Sequence, residues 1–243
     1  MQRGTFAGLK SGVWSVVMKK IVVLNPKGGS GKTTIATNLA AYFATQGMEP
    51  TLMDMDRQGS SMHWLEKRFA DLPVIHGIAA YESQMRVTRS WQMRVPPQSR
   101  RVVIDTPAGV DPQALPDITR GAQAILIPVV PSDIDIHAAT ALISNLLLIA
   151  RIRRSDGRIG VLANRVKSKT LIYQSLMRFL RNLRIPIVGV LRDSQVYVRA
   201  AEQGVGIHEM KPHHVRKDLE QWRSVLSWEK SRPASAMPSV GVV

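Results

Sequence analysis

Residues 25–34 read Asn-Pro-Lys-Gly-Gly-Ser-Gly-Lys-Thr-Thr. Glycines, lysines and hydroxyls at this density suit one kind of chemistry, the binding of phosphate. Glycine lets successive backbone amides turn toward one anion, lysine adds a point charge, and a hydroxyl can hold Mg2+. The ordinary phosphate loop is Gly, four free residues, then Gly-Lys-Ser/Thr. Gly31-Lys32-Thr33 supplies the second half, and Pro26 stands where the first glycine belongs. Lys32 is placed to reach the terminal phosphates and Thr33 to reach the metal, with Gly28, Gly29, Ser30, Gly31 and Thr34 completing the cradle. Lys27 has no task in a site built from one chain.

Such a loop works only between a strand and a helix N-terminus, where amides and the helix dipole favour negative charge. Residues 20–25, with the apolar run Ile21 to Leu24, read as a buried strand, and Ile35, Leu39 and Phe43 recur at helical spacing over 33–46. Further strands are expected at 51–55, 74–79, 101–105, 123–130, 158–163 and 186–191. Helices are expected at 60–70, 82–92, 112–120, 133–152, 169–183, 194–203 and 213–228. Pro26, Pro50, Pro107, Pro131 and Pro186 flank these elements. Strand–helix alternation over 243 residues predicts one doubly wound α/β domain, a mostly parallel sheet with helices on both faces and ligand at the strand C-termini.

Two more segments place carboxylates there. Thr51-Leu52-Met53-Asp54-Met55-Asp56 is an apolar strand running into an Asp-x-Asp pair, and Arg101-Val102-Val103-Ile104-Asp105 ends in a single acid. Asp56 also suits a helix cap or a turn. Gly160 to Ala163 leads to Asn164, which could equally close a strand into a turn.

In this order the motifs resemble the ParA/MinD family of ATPases, whose deviant Walker A loop has the form KGGxGKT; the likeness covers roughly residues 19–228. It implies a P-loop NTPase fold with ATP and Mg2+ as cofactors. Lys27 would cross to the nucleotide of a second subunit, so that ATP is sandwiched in a homodimer. Asp54 would sit near the metal, Asp56 would orient the attacking water, and Asp105 would hold Mg2+ through a water. Thr106 to Gly109 would form a switch sensing the γ-phosphate, Asn164 would contact adenine, and Leu191 to Arg199 would lie near the base. Arg57 replaces a proline common in the family.

Composition removes several alternatives. There is no cysteine, which excludes disulfides and relatives carrying iron–sulfur clusters or metalloid. His213 and His214 are adjacent and lack zinc-ligand spacing. Tyrosine is absent beyond Tyr197, which excludes a tyrosine-kinase relative with a phosphorylatable tail. No stretch approaches the roughly 20 apolar residues of a membrane span. Residues 1–18, ahead of the first strand, read as a disordered leader or misassigned start, too short in apolar run for a secretory signal. The domain is expected over 19–229 and a flexible Ser/Pro/Ala tail over 230–243, in a cytoplasmic, nucleoid-associated protein.

The formal net charge is +15. Between Arg151 and Arg184 the basic residues face one acid, Asp156. Candidates for a polyanion are Arg151, Arg153, Arg154, Lys167, Lys169, Arg178 and Arg181, with a second group at Lys211, Arg216 and Lys217. With no helix-turn-helix, zinc finger or basic zipper, DNA binding would be independent of sequence. The leading expectation is therefore a ParA-type ATPase that dimerises with ATP, coats the nucleoid, and is released when a cargo-bound adaptor stimulates an otherwise slow hydrolysis. Plasmid or chromosome DNA stands slightly ahead of a protein organelle such as a carboxysome as cargo. A MinD-like membrane ATPase is the alternative, because Val215, Leu219, Trp222 and Leu226 form an apolar stripe. No membrane partner is expected, since a stripe of this kind usually docks on its own core. A metabolic ligase or kinase on the same fold ranks last, because nothing marks an acceptor pocket.

Overall fold

The computed structural model describes residues 18–82, 95–168 and 170–233. Among these, seven strands form one sheet: β1 (Lys19–Val23), β2 (Thr51–Asp54), β3 (His76–Ala79), β4 (Arg101–Asp105), β5 (Ala124–Val129), β6 (Ile159–Val166) and β7 (Ile187–Arg192). Their order is β3-β2-β4-β1-β5-β6-β7, and each neighbouring pair is parallel. The helices are α1 (Lys32–Thr45), α2 (Ser60–Glu66), α3 (Leu115–Thr119), α4 (Asp133–Leu148), α5 (Leu171–Asn182), α6 (Gln195–Glu202) and α7 (Pro212–Lys230).

Period-two alternation splits each central strand between two cores. Val22 and Leu24 join Ile104, Ile125 and Ile127 beneath α3, α4 and α5. Ile21 and Val23 join Val103 and Leu126 beneath α1, α2, α6 and α7. Coverage of both faces is why β1, β2 and β5 are buried throughout, and why β5 reads as a continuous apolar run. The order of strands reverses around β1, and a doubly wound sheet opens a ligand crevice at that point.

Pro128 lies inside β5, in the interior of the sheet, where a missing amide normally breaks a ladder. It is tolerated because β1 pairs with β5 only as far as Val23↔Leu126. Beyond that register the chain leaves the sheet for the phosphate loop, and the Asn25 side-chain amide donates to the Pro128 carbonyl.

Several expected boundaries shift. The segment 112–120 splits into a 3-10 turn at Pro112–Ala114 and the short α3, because Pro112 and Pro116 each withhold an amide. Instead of continuing to 152, α4 stops at Leu148; the chain turns through Arg151 at φ 54°, and the Ile152 amide reaches back to the Leu146 carbonyl. Similarly, α2 ends at Glu66 rather than 70, after which Arg68 leaves the helix path to pair with Glu209. The 82–92 helix falls almost entirely outside the described residues, as do 1–17 and 234–243. In the other direction, α7 extends to Lys230.

Candidate functional site

Gly31 is the N-cap of α1, at φ 90°, and no acid occupies the first turn. The first turn of this 14-residue helix thus contributes no anion of its own to the positive end, its first residues being Lys32, Thr33 and Thr34. The loop is held from both sides. Asn25 Oδ1 accepts from the Lys27 amide at 2.8 Å, and Asn164 Nδ2 donates to the Ser30 carbonyl at 2.8 Å. Lys32 Nζ lies 3.0 Å from the Lys27 carbonyl. Burial lowers the Lys32 pKa, while Asp105 and Asp56 hold it up.

A cleft of about 650 Å³ opens above the loop, lined by Gly28, Gly29, Gly31, Lys32, Thr33 and Thr34. Asp56, Gln58 and Ser60 close one side, and Asn164, Arg165, Arg192 and the start of α6 close the other. Lys27 is not among the lining residues, although its neighbour Gly28 is. Ser30, expected among the phosphate contacts, is fully buried with its hydroxyl on the Lys27 carbonyl. Its side chain shapes the loop from below instead of facing the cleft.

The carboxylates divide their work. Asp105 Oδ2 accepts from Thr33 Oγ1 and from Ser61 Oγ, both at 2.7 Å, while the buried Oδ1 has no hydrogen-bond partner. Burial raises the Asp105 pKa to about 6, against the opposing pull of the two hydroxyls. A hydroxyl and an orphaned carboxylate oxygen beside a phosphate loop suit Mg2+, which takes few protein ligands and completes its shell with water and phosphate. Among the described residues no group of three or more acids or histidines forms a cage of its own.

Asp54 stands in register with Asp105 across β2 and β4, and its carboxylate is taken up by backbone amides. Its Oδ1 accepts from the Asp56 amide, and Oδ2 from the amides of Ser61 and Met62. Its carboxylate anchors the turn into α2 and is raised in pKa chiefly by burial. Asp56 faces the cleft but also makes a turn bond, Oδ1 accepting from the Gln58 amide at 3.0 Å. The turn reading of Asp56 is thus seen directly, and its place on the cleft wall leaves the other carboxylate oxygen for the site. The expected switch after β4 touches the loop directly: the Gly109 amide donates to the Pro26 carbonyl at 2.9 Å.

Asn164 lies within β6, not at its end, because the strand continues through a bulge at Arg165 (φ 52°) to Val166. Arg192 and Asp193, from the segment read as lying near the base, do line the cleft. Ser61 and Lys67 are site residues that sequence reading missed. A serine after a glycine turn carries no distinctive spacing, and Lys67 enters the lining only because α2 ends beside it.

The cationic candidates do not form one surface. Arg151, Arg153 and Arg154 lie in the connection that enters β6, and Arg178 and Arg181 on the second half of α5, which leads into β7. Lys167 leaves β6 at its other end, and Lys217 lines a groove with the neighbouring Val166 and Ser168. Lys211 and Arg216 flank the first turn of α7. All of these are exposed, while Lys169 lies outside the described residues. On α7, Val215 and Trp222 are fully buried, with Leu219 and Leu226 packed against the same core. The apolar stripe is therefore occupied by the protein's own sheet. Among the described residues no helix is long and apolar enough to cross a membrane.

Comparison with known proteins agrees with this geometry. The model of the CobQ/CobB/MinD/ParA nucleotide binding domain matches residues 21–207. The "Maintenance of carboxysome distribution protein A" of Gloeobacter kilaueensis is 31% identical over 207 residues, covering 84% of this chain and 91% of that protein. The protein of the same name from Halothiobacillus neapolitanus is 27% identical over 197 residues, covering 78% and 87%. An aspartate-to-alanine variant of Cyanothece McdA in complex with ATP has the same fold, with a TM-score of 0.63 at 18% identity over 86% of this chain and 96% of that one. The chain belongs to the ParA/MinD family, and what it builds around residues 25–34 is that family's nucleotide-binding ATPase domain.

Proposed function

We propose that this chain is a positioning ATPase that closes into a homodimer around ATP and Mg2+, binds DNA without sequence preference in that state, and lets go when a cargo-bound adaptor stimulates hydrolysis. The observation that carries the reading is the division between the two lysines. Lys32 lies in its own cleft, whereas Lys27 flanks the loop without lining it. A cation so placed is available to the nucleotide of a facing copy. Phosphoryl transfer depends on positioning and charge stabilisation, so a site completed in trans stays slow until the pair closes.

In this reading Thr33 and Asp105 hold the magnesium, Asp56 orients water, and Asp54 and Ser61 fix the loop between them. The metal would neutralise charge building on the phosphates. Of the relatives that match most of the chain, two are carboxysome distribution proteins at 27% and 31% identity and one is a septum site-determining protein MinD at 23%, whereas matches to chromosome-partitioning proteins cover 20 to 29% of it. That favours a protein organelle over DNA as cargo, the reverse of the order read from sequence.

Light scattering with a non-hydrolysable ATP analogue tests the proposal. The wild-type chain should double in mass, while Lys27→Ala should bind the analogue with unchanged affinity and stay single. A Lys27→Ala protein that still pairs would remove the basis of the reading.

A further inference from the structure

In a parallel sheet every strand is entered at one edge and left at the other. The nucleotide cleft lies at the exit edge. Cations lie at both edges, but those at the entry edge largely lack acidic partners, and residues far apart in sequence contribute to them. Arg153 and Arg154 sit in the connection to β6, and Arg181 and Arg184 in the connection to β7. These two connections are neighbours, because Val161 pairs with Ile187 and the Val161 amide donates to the Pro186 carbonyl. Arg120 precedes β5 and Arg100 precedes β4, both exposed. Lys230 joins them from the end of α7, where the carbonyls of Glu229 and Lys230 accept from Lys19 Nζ.

Of the acids at this edge, Glu49 is half exposed with only His76 near it among the described residues, at 3.8 Å, and three others are engaged by cations. Asp117 pairs with Arg120, Asp156 with Arg158, and Glu229 with Lys19 and Arg101. Among the described residues no ion pair includes Arg100, Arg153, Arg154, Arg181, Arg184 or Lys230. Beneath them Lys20 is buried, its pKa lowered to about 8, first by desolvation and then by Arg120. The exit edge is mixed instead: Arg165 meets Asp193, Arg192 meets Asp218, and Arg216 meets Glu220.

We infer that the entry edge of the sheet is the surface that binds duplex DNA, and that a dimer closed through its nucleotide clefts carries two such surfaces facing away from each other, each holding its own duplex segment. This rests on the reading of the chain as an ATP-closed dimer that binds DNA. Phosphates along a duplex repeat at about one charge per 1.7 Å of axis, which suits an extended row of unpaired guanidinium groups better than a pocket. The small exit-edge group around Lys211 and Lys217, with Lys217 on a separate groove beside β6 and β7, is not part of this surface.

The test uses the full-length chain with a non-hydrolysable ATP analogue and a fluorescent duplex of random sequence. Combining Arg153→Gln, Arg154→Gln, Arg181→Gln and Arg184→Gln should weaken binding on the order of a hundredfold or more near 0.1 M salt. It should also flatten the log–log salt dependence by roughly 3 to 4. Nucleotide affinity and dimer mass should not change. Combining Lys211→Gln, Arg216→Gln and Lys217→Gln should leave DNA affinity within about threefold. With duplex fixed to beads, the wild-type dimer should capture a second, labelled duplex, and Lys27→Ala should not. The surface is wrongly placed if the exit-edge variant loses DNA and the entry-edge variant keeps it, or if the entry-edge arginines bind anionic phospholipid vesicles and not duplex. A dimer that binds DNA but captures no second duplex overturns the outward arrangement and leaves the proposed function standing. A chain that never pairs defeats both.

Discussion

A Cβ on Gly31 would collide with the side-chain amide of Asn164, and the residue sits at φ 90°, where L side chains are strained. Gly31→Ala therefore meets two obstacles, a backbone cost of about 1–2 kcal/mol and the clash. Nucleotide affinity should fall by at least about fivefold, the lower end of the backbone share alone. Adding Asn164→Ala removes the clash but not the backbone strain, and also frees the Ser30 carbonyl, so recovery should be partial. Titration with a fluorescent ATP analogue reads both, and wild-type affinity in Gly31→Ala would contradict the loop geometry. Asp105 gives a second test. Its folded pKa of about 6 lies above its ordinary 3.8, so folding takes up a proton between those values. Its contribution is full below pH 3.8 and is lost as pH rises through 6, to about 3 kcal/mol. Without nucleotide or metal, Asp105→Asn should melt higher than wild type at pH 7.5, and Mg2+ with ATP should reverse that order. The acid was legible as a strand-end carboxylate in sequence. The hydroxyl of Ser61 beside it was not, because nothing local to residues 59–61 signals a partner 44 residues away.

At the scale of elements, the 3-10 turn at Ile207–Glu209 joins α6 to α7 and packs against α1. Within it His208 packs between Tyr42, tilted by 58°, and Trp222, edge-on at 83°, at 5.0 and 5.6 Å between ring centroids. Desolvation lowers its pKa to about 4, with Glu209 opposing. The folded turn refuses a proton that the unfolded chain accepts below pH 6.5, so stability is lost as pH falls from 6.5 toward 4. This slope opposes that of Asp105, and the apo wild-type profile should be shallow between pH 4 and 6. His208→Phe keeps the ring contacts and removes the titration. Its melting temperature should therefore fall as pH rises through that range, while Asp105→Asn should tilt the other way. Thermal melts across pH read both, and parallel profiles for the two variants would contradict the assignment. The apolar period of α7 was legible, and so was α1 between its glycine turn and Gly47. Where α4 ends was not, because Arg151 adopts a left-handed turn that its side chain does not announce.

For the molecule as a whole, strand–helix alternation announced the doubly wound sheet, but not how its charge is distributed. The basic run from Arg151 to Arg184 looks continuous in sequence, yet β6 and α5 carry it from one edge of the sheet to the other and back. Residues near Lys167 therefore sit apart from the arginines on either side of them. The separation has a measurable consequence. A central strand of five residues such as β1 spans roughly 17 Å, and the eight of β6 roughly 26 Å. Each exceeds the Debye length of about 8 Å at 0.15 M salt. Two copies meeting through their clefts should hardly sense each other's entry-edge arginines, despite a formal +15 on each chain. Raising salt from about 0.1 to about 0.5 M should thus change the dimerisation constant with a non-hydrolysable analogue by no more than about threefold, since screening acts on charges already beyond its range. DNA binding over the same interval should fall by a factor of about 10³ or more, since each neutralised phosphate adds about 0.9 to the slope. Sedimentation at the two salt concentrations, with and without duplex, reads both quantities. If pairing itself strengthened steeply with salt, the repelling charges would have to lie at the dimer face, and the division of the molecule into a nucleotide edge and a polyanion edge would be wrong.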